Sequence, residues 1–226
     1  WKEVASPNPG GQTVLFGVAV VSARSAWAVG GDARSYTPVI LHWNGQAWKQ
    51  VRLPAGGVVL TSVAAISPRN AWAVGYGYNG TSLMLHWNGR AWQRAPGPRF
   101  ALLESVTAVS ARDAWAAGNS LANRQLILHW NGRVWQRTSV SGRGFLDGVA
   151  AVSARSAWAV GGTSFNTTPR PVILNYNGTA WKQVPVSAGR GVLASVAATS
   201  ARDAWAVGYT SKFKTLILHW NGTSWK

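Results

Sequence analysis

Two of the six acidic side chains in this 226-residue chain, Glu104 and Asp147, each follow a leucine that recurs in a repeated strand. Carboxyl groups from neighbouring copies of one strand could act as the acid and base of glycoside hydrolysis, which needs a separation of about 5–9.5 Å. The other copies of the position hold Phe16, Thr61 and Ala194, none of them acidic. The remaining acids, Glu3, Asp32, Asp113 and Asp203, fall in a strand, a loop and two turns. With no serine-nucleophile motif, dinucleotide fingerprint or cysteine, no catalytic residue is assigned. A glycosidase-like enzyme using Glu104 and Asp147 is the last of three functional readings.

The four histidines, His42, His86, His129 and His219, all stand directly before a tryptophan, and the fifth copy of the position is Asn175. One imidazole per repeat does not converge on a metal, and asparagine replaces histidine better as a hydrogen-bonding group than as a zinc ligand. These are read as buried, hydrogen-bonded, neutral side chains, and neither a metal nor a cofactor is expected. A "SAR"-type turn repeats Arg24, Arg69, Arg112, Arg155 and Arg202. Each guanidinium is expected to pack within the fold, bonding carbonyls or the adjacent Asp113 and Asp203. The alternative is a row of cations on one face that binds a polyanion. The composition keeps that alternative open, because 22 Lys and Arg against 6 Asp and Glu give a net charge of +16.

These residues recur because the chain does. "LILHWNGRVW" (126–135) returns as "VILHWNGQAW", "LMLHWNGRAW", "VILNYNGTAW" and "LILHWNGTSW". Its last tryptophan belongs to a series Trp1, Trp48, Trp92, Trp135, Trp181 and Trp225, spaced by 43 to 47 residues. Each unit reads as four short strands, which in the second unit are 60–67, 71–76, 83–88 and 91–95, and no amphipathic helix interrupts them. Asn-Gly marks a tight hairpin between the third and fourth. Four antiparallel strands at this period predict an all-β, five-bladed β-propeller of four-stranded blades, a single domain over 1–226 with repeats at about 1–47, 48–91, 92–134, 135–180 and 181–226. "WKEV" (1–4) is expected to supply the outer strand that closes the last blade. The fifteen tryptophans are expected to form the core, each removing about 150–250 Å² from water.

"AWAVGG" (26–31 and 157–162), a variable loop, "VILHWNG" and a Trp followed by "KQV" resemble the kelch repeat. They are closer still to the Trp-rich "WAVG…HWNG..W" propeller repeats of bacterial surface proteins. The resemblance covers the whole chain and implies the fold, while propellers of this kind serve as lectins, enzymes and scaffolds alike.

The repeats also separate what varies from what does not. Connections from fourth to first and from second to third strand share one face and carry nearly all the variation, which is where a rigid scaffold places a binding site. On that face Tyr36, Tyr78, Phe165 and Phe213 stand beside Arg34, Arg124, Arg170, Lys212 and Lys214, a mixture suited to sugars or acidic glycans. Tyr36, Tyr78, Arg124, Phe165, Arg170, Phe213, Glu104 and Asp147 are the candidate ligand-binding residues. The leading functional reading is a non-catalytic, lectin-like carbohydrate-binding module. The second is a basic scaffold for an anionic polymer or a protein partner through Arg24, Arg69, Arg112, Arg155 and Arg202. Nucleic acid would bind only through net charge. No run of 18 apolar residues suggests membrane insertion, and the N-terminus does not read as a leader, so a soluble chain with any signal peptide removed is expected, secreted or on a bacterial surface.

Overall fold

The computed structural model describes residues 2–9, 11–32, 34–53, 57–164 and 168–226. Two compact units, Trp1–Leu103 and Glu104–Lys226, divide the chain within one strand. Five antiparallel sheets follow one another in sequence, nineteen strands in all. The first comprises β1 (Thr13–Ser22), β2 (Ser25–Asp32), β3 (Thr37–Trp43) and β4 (Trp48–Val51). The second comprises β5 (Val59–Ser67), β6 (Asn70–Tyr76), β7 (Ser82–Trp87) and β8 (Trp92–Arg94). The third is β9 (Ala101–Ser110), β10 (Asp113–Ser120), β11 (Gln125–Trp130) and β12 (Trp135–Arg137), and the fourth β13 (Phe145–Ser153), β14 (Ser156–Gly162), β15 (Pro171–Tyr176) and β16 (Trp181–Gln183). The fifth holds β17 (Gly191–Ser200), β18 (Asp203–Thr210) and β19 (Thr215–Trp220).

The fifth sheet corrects the expected closure. Its outer position is taken by the chain's own end, where Trp225 bridges Trp220 and Lys226 exchanges two backbone hydrogen bonds with His219. Among the described residues no N-terminal strand completes it. Among residues 2–12 Val4 instead lines cavities on the first sheet with Trp48. The reason is local: Trp225 continues directly from the Asn221-Gly222 hairpin, so it reaches the open edge at almost no loop-closure cost.

Each Asn-Gly hairpin is built as the sequence reads. Gly45, Gly89, Gly132, Gly178 and Gly222 all sit near φ +90°, and the preceding Asn accepts backbone N–H bonds from two residues beyond. Strand pairing then puts the second-strand tryptophan opposite the histidine of the third, as in Trp115 and His129.

In each unit, tryptophans from the second strand of one sheet pack on the outer strands of the next. Trp27 meets Trp87 and Trp92 with ring centroids 5.0 and 5.2 Å apart. In the second unit Trp115 meets Tyr176 and Trp181, and Trp158 meets Trp220 and Trp225. The third-strand tryptophans Trp43, Trp87, Trp130 and Trp220 instead donate their indole N–H to a carbonyl of the turn after the first strand.

A β-bulge interrupts every first-strand pairing for which the register is given. Leu15 faces Gly30 but Gly17 faces Val29, and the same slip recurs at Leu60/Ser62, Leu146/Gly148 and Leu193/Ser195. The glycine opposite is the fixed Gly of "WAVG": a Cβ on Gly30, Gly75, Gly161 or Gly208 would overlap a carbonyl oxygen of the bulged strand. Gly161→Ala is therefore expected to cost about 3 kcal/mol, the upper end for overpacking. Gly189→Ala, with nothing near its added methyl, should leave the urea midpoint unchanged. Equal midpoints for the two variants would remove the bulge as the reason for this glycine.

Candidate functional site

In these four first strands the bulge places one residue outside the ladder, Phe16, Thr61, Asp147 or Ala194. Bulges of this kind re-aim a side chain and recur beside functional sites. Thr61 donates its hydroxyl to the carbonyls of Leu103, at 2.7 Å, and Val74. Asp147 is half-buried, and its carboxyl is pushed up to about 7, first by burial and then by the negative charge of Glu104. Ser105, the residue after Glu104, accepts a hydrogen bond from the backbone N–H of Val149 at 3.1 Å, which ties β9 to β13 beside the pair. The two acids predicted from the sequence thus do interact. A carboxyl that holds its proton near neutrality can donate a hydrogen bond where an ordinary aspartate only accepts.

Within each unit, backbone hydrogen bonds join variable loops of neighbouring sheets. Ala101 donates to Gly80, Gly144 to Asn123 and Gly191 to Pro169, each linking a fourth-to-first connection to a second-to-third hairpin. Tyr36, Asn123 and Phe213 occupy the same hairpin position with φ between 50° and 55°, a left-handed conformation rare for a side chain of this size. Tyr36 and Tyr78 come together, ring centroids 6.0 Å apart, and Tyr78 is almost fully exposed. Phe213 stacks on Tyr209. Arg124 and Arg170 are exposed, and Phe165 lies outside the described residues.

One feature of these loops was not singled out in the sequence. A cleft of about 520 Å³ opens between β7, β8 and the connection 95–100. Thr81, Ser82, Met84, Arg94, Arg99 and Phe100 line it. Phe100 is exposed and is held by a bridge to Thr81, while Ser82 donates its hydroxyl to the Pro98 carbonyl. The signal was the string "PGPRFA" within the variable set: two prolines stiffen a loop that ends in an adjacent cation and aromatic.

At the turns between first and second strands the arginines pack differently from expectation. The stems of Arg24, Arg69, Arg112, Arg155 and Arg202 lie across the hairpin glycines Gly45, Gly89, Gly132, Gly178 and Gly222, and these arginines are exposed. Asp113 and Asp203 pair with His129 and His219 instead, Oδ1 to Nε2, at 2.9 and 2.8 Å. In the first two sheets His42 and His86 face Ser25 and Asn70, at 3.3 and 3.4 Å. The residue before the "AW" of the second strand is thus the partner of the histidine. These imidazoles are half-buried and stack on the tryptophans beside them, Trp115 and His129 at 4.0 Å. Burial pushes His42 and His86 down from the usual histidine value. Among the described residues no group of three or more His, Asp or Glu is placed to hold a metal ion, and no helix is long and apolar enough to cross a membrane.

No protein-family model, kelch included, matches the sequence, and no curated protein matches it. Solved structures do. The chain is similar to the SapL1 lectin in complex with alpha methyl fucoside, with a TM-score of 0.68 at 8% identity over 95% of this chain and 79% of that one. It is similar to the six-bladed β-propeller lectin of Aleuria aurantia, with a TM-score of 0.62 at 13% identity over 95% and 77%. It is also similar to a chain of a nidogen/laminin complex, with a TM-score of 0.59 at 9% identity over 92% and 76%. The likeness establishes an all-β propeller fold. It also corrects the expected blade count: the lectin fold is six-bladed, whereas this chain forms four four-stranded sheets and one of three strands, not five complete blades.

Proposed function

We propose that the chain is a non-catalytic carbohydrate-binding module and that the cleft at Arg99 and Phe100 is its principal site. The observation that carries the reading is the cleft's lining, which combines the exposed Phe100 with Arg94, Arg99, Thr81 and Ser82. A ring face takes the apolar face of a sugar, and the polar groups fix its hydroxyls. The likeness to lectins of propeller fold supports the same ligand class. Tyr36 and Tyr78, in the same unit, offer a second aromatic surface.

The test is a glycan array at about 0.15 M and about 1 M salt, where the Debye length falls from about 8 to about 3 Å. Neutral glycans are expected to stay bound at high salt, and Phe100→Ala to weaken binding about tenfold, or ~1.4 kcal/mol. Binding confined to acidic glycans and abolished by salt would replace this reading with polyanion binding by the exposed arginines of the "SAR" turns.

A further inference from the structure

One place in the loops is aromatic in the first unit and cationic in the second. From the second sheet on, the residue just before the third strand accepts a backbone hydrogen bond that closes its hairpin: Gly77 donates to Thr81, Ser120 to Arg124, Thr163 to Arg170 and Thr210 to Lys214. The residue facing it comes from the connection to the next sheet, where Phe100 bridges Thr81 and Arg143 bridges Arg124. Arg190 holds that place in the following copy, directly before the Gly191 that donates to Pro169. Thr81 and Phe100 of the cleft are thus replaced in the second unit by Arg124 with Arg143 and by Arg170 with Arg190, and Lys214 takes the hairpin place of the fifth sheet.

The backbone brings the first of these pairs together. Gly144 donates to Asn123 at 2.8 Å and Gln125 to Gly142 at 3.3 Å, which makes Arg124 and Arg143 a non-hydrogen-bonded antiparallel pair. In that geometry the Cα atoms are about 4.5 Å apart and both side chains leave the same face. Gln125, itself buried, donates its side-chain amide to the Arg143 carbonyl at 3.2 Å and fixes the loop. Arg170 and Arg190 lack the second flanking bond because Pro171 has no N–H to give. All five cations are exposed. Among the described residues the ion pairs are Asp113 with His129 and Asp203 with His219, so no carboxylate of the chain neutralises them. Like charges directly opposite one another destabilise a strand pair. A repeated arrangement that carries this cost is complementary to an anion from outside.

We propose that the second unit binds an acidic polysaccharide, its carboxylates held by Arg124 with Arg143 and by Arg170 with Arg190. The ligand class rests on the carbohydrate reading above, to which this adds a second site of different chemistry. A guanidinium takes a carboxylate in two parallel hydrogen bonds, and two such pairs on consecutive sheets suit a polymer that repeats its charge. The hairpin "SLANR" and the connection "SVSGRG" hold no aromatic ring for a base to stack on, which favours a glycan over single-stranded nucleic acid.

Biolayer interferometry on the full chain tests this, with polygalacturonate, neutral glycans and an oligothymidylate as probes, at about 0.15 M salt. Polygalacturonate is expected to bind, and Arg124→Ser with Arg143→Ser to weaken it about tenfold or more, the loss of charge-assisted hydrogen bonds. Arg133→Ser with Arg137→Ser removes the same charge from other exposed positions and should change binding less than about twofold. Equal weakening by the two double variants, or no binding of polygalacturonate, overturns the proposal. Tighter binding of the oligothymidylate through Arg124 and Arg143 overturns it as well. If neutral glycans fail to bind while polygalacturonate still depends on Arg124 and Arg143, the cleft at Phe100 is overturned and this site stands. The urea midpoint of the unliganded Arg124→Ser, Arg143→Ser variant should equal or exceed that of the wild type, because an opposed like charge is gone. A lower midpoint would make the two arginines structural and would also overturn the proposal.

Discussion

Replacing Trp158 by alanine will destabilise the protein by about 3–5 kcal/mol, the range for removing a buried tryptophan from a core. Trp158 is 1% exposed, and its ring packs on those of Trp220 and Trp225, centroids 5.1 and 5.2 Å away. The cavity left behind is bounded by β-strands whose backbones are fixed by their ladders, so it cannot collapse far. Trp158→Phe should cost less than half as much, because the indole N–H lost with it has no hydrogen-bond partner. The repeat provides its own control. Trp205 occupies the same place in "AWAVG", yet Trp205→Ala should stay within about 1 kcal/mol because about half of its surface meets water. Urea unfolding of the three variants at dilute protein decides the matter. If Trp158→Ala and Trp205→Ala shift the midpoint equally, the half-open core of the fifth sheet is wrong.

That contrast marks the limit of sequence reading for a repeat protein. The strands and hairpins were legible because their determinants are local: alternation, β-branched residues and an Asn-Gly pair at each third-to-fourth turn. The second unit's strands, read as 60–67, 71–76 and 83–88, are observed as Val59–Ser67, Asn70–Tyr76 and Ser82–Trp87. The links between variable loops within each unit, such as Ala101 to Gly80 and Gly144 to Asn123, follow from strand alternation alone. The exposure of Trp205 was not legible, because identical motifs differ only in whether a neighbouring sheet covers them. The N-terminal strand failed for a related reason. Two segments, 1–4 and 224–226, have similar sequences, and which one pairs is set by chain connectivity rather than by composition.

The site was half legible. The variable position after the repeated leucine could be seen, but not that it is a bulge, since the bulge is recorded in the opposite strand by an obligatory glycine. The pairing of Asp113 with His129 was visible only as a polar residue sixteen or seventeen positions before each histidine, Ser25 for His42 and Asn70 for His86. The arginine reading competed with it and lost. A half-buried imidazole on a tryptophan face has few other partners, whereas an exposed guanidinium has water.

The stability of the protein should fall as pH rises from about 4 to about 8, and Asp147 is the cause. Its carboxyl holds a proton up to about pH 7 in the folded state, through burial first and the neighbouring Glu104 second, whereas the unfolded chain releases that proton near 3.8. Between these values the native state binds the extra proton, so its stabilisation is complete below about pH 4 and is lost as pH climbs through 7. At about 1.4 kcal/mol for each pH unit of the interval, the loss is at most about 4 kcal/mol. His42 and His86 work in the opposite direction. Burial lowers them, so the unfolded chain takes up their protons first and stability rises with pH across the histidine range. The wild-type profile is therefore a sum, and its difference from Asp147→Asn isolates the carboxyl. Asparagine keeps the shape and can donate without a proton to lose. Near pH 5 the two proteins should unfold at similar urea concentrations, and near pH 8 the asparagine variant should be the more stable by about 2–4 kcal/mol. Parallel profiles would mean that Asp147 is ionised and solvated like a surface aspartate. In that case the bulge would present an ordinary charge and not a hydrogen-bond donor for a ligand hydroxyl. A diverging pair would instead give the propeller a carboxyl that is half protonated at neutral pH. Any ligand that accepts its proton should then bind more weakly as pH rises past 7.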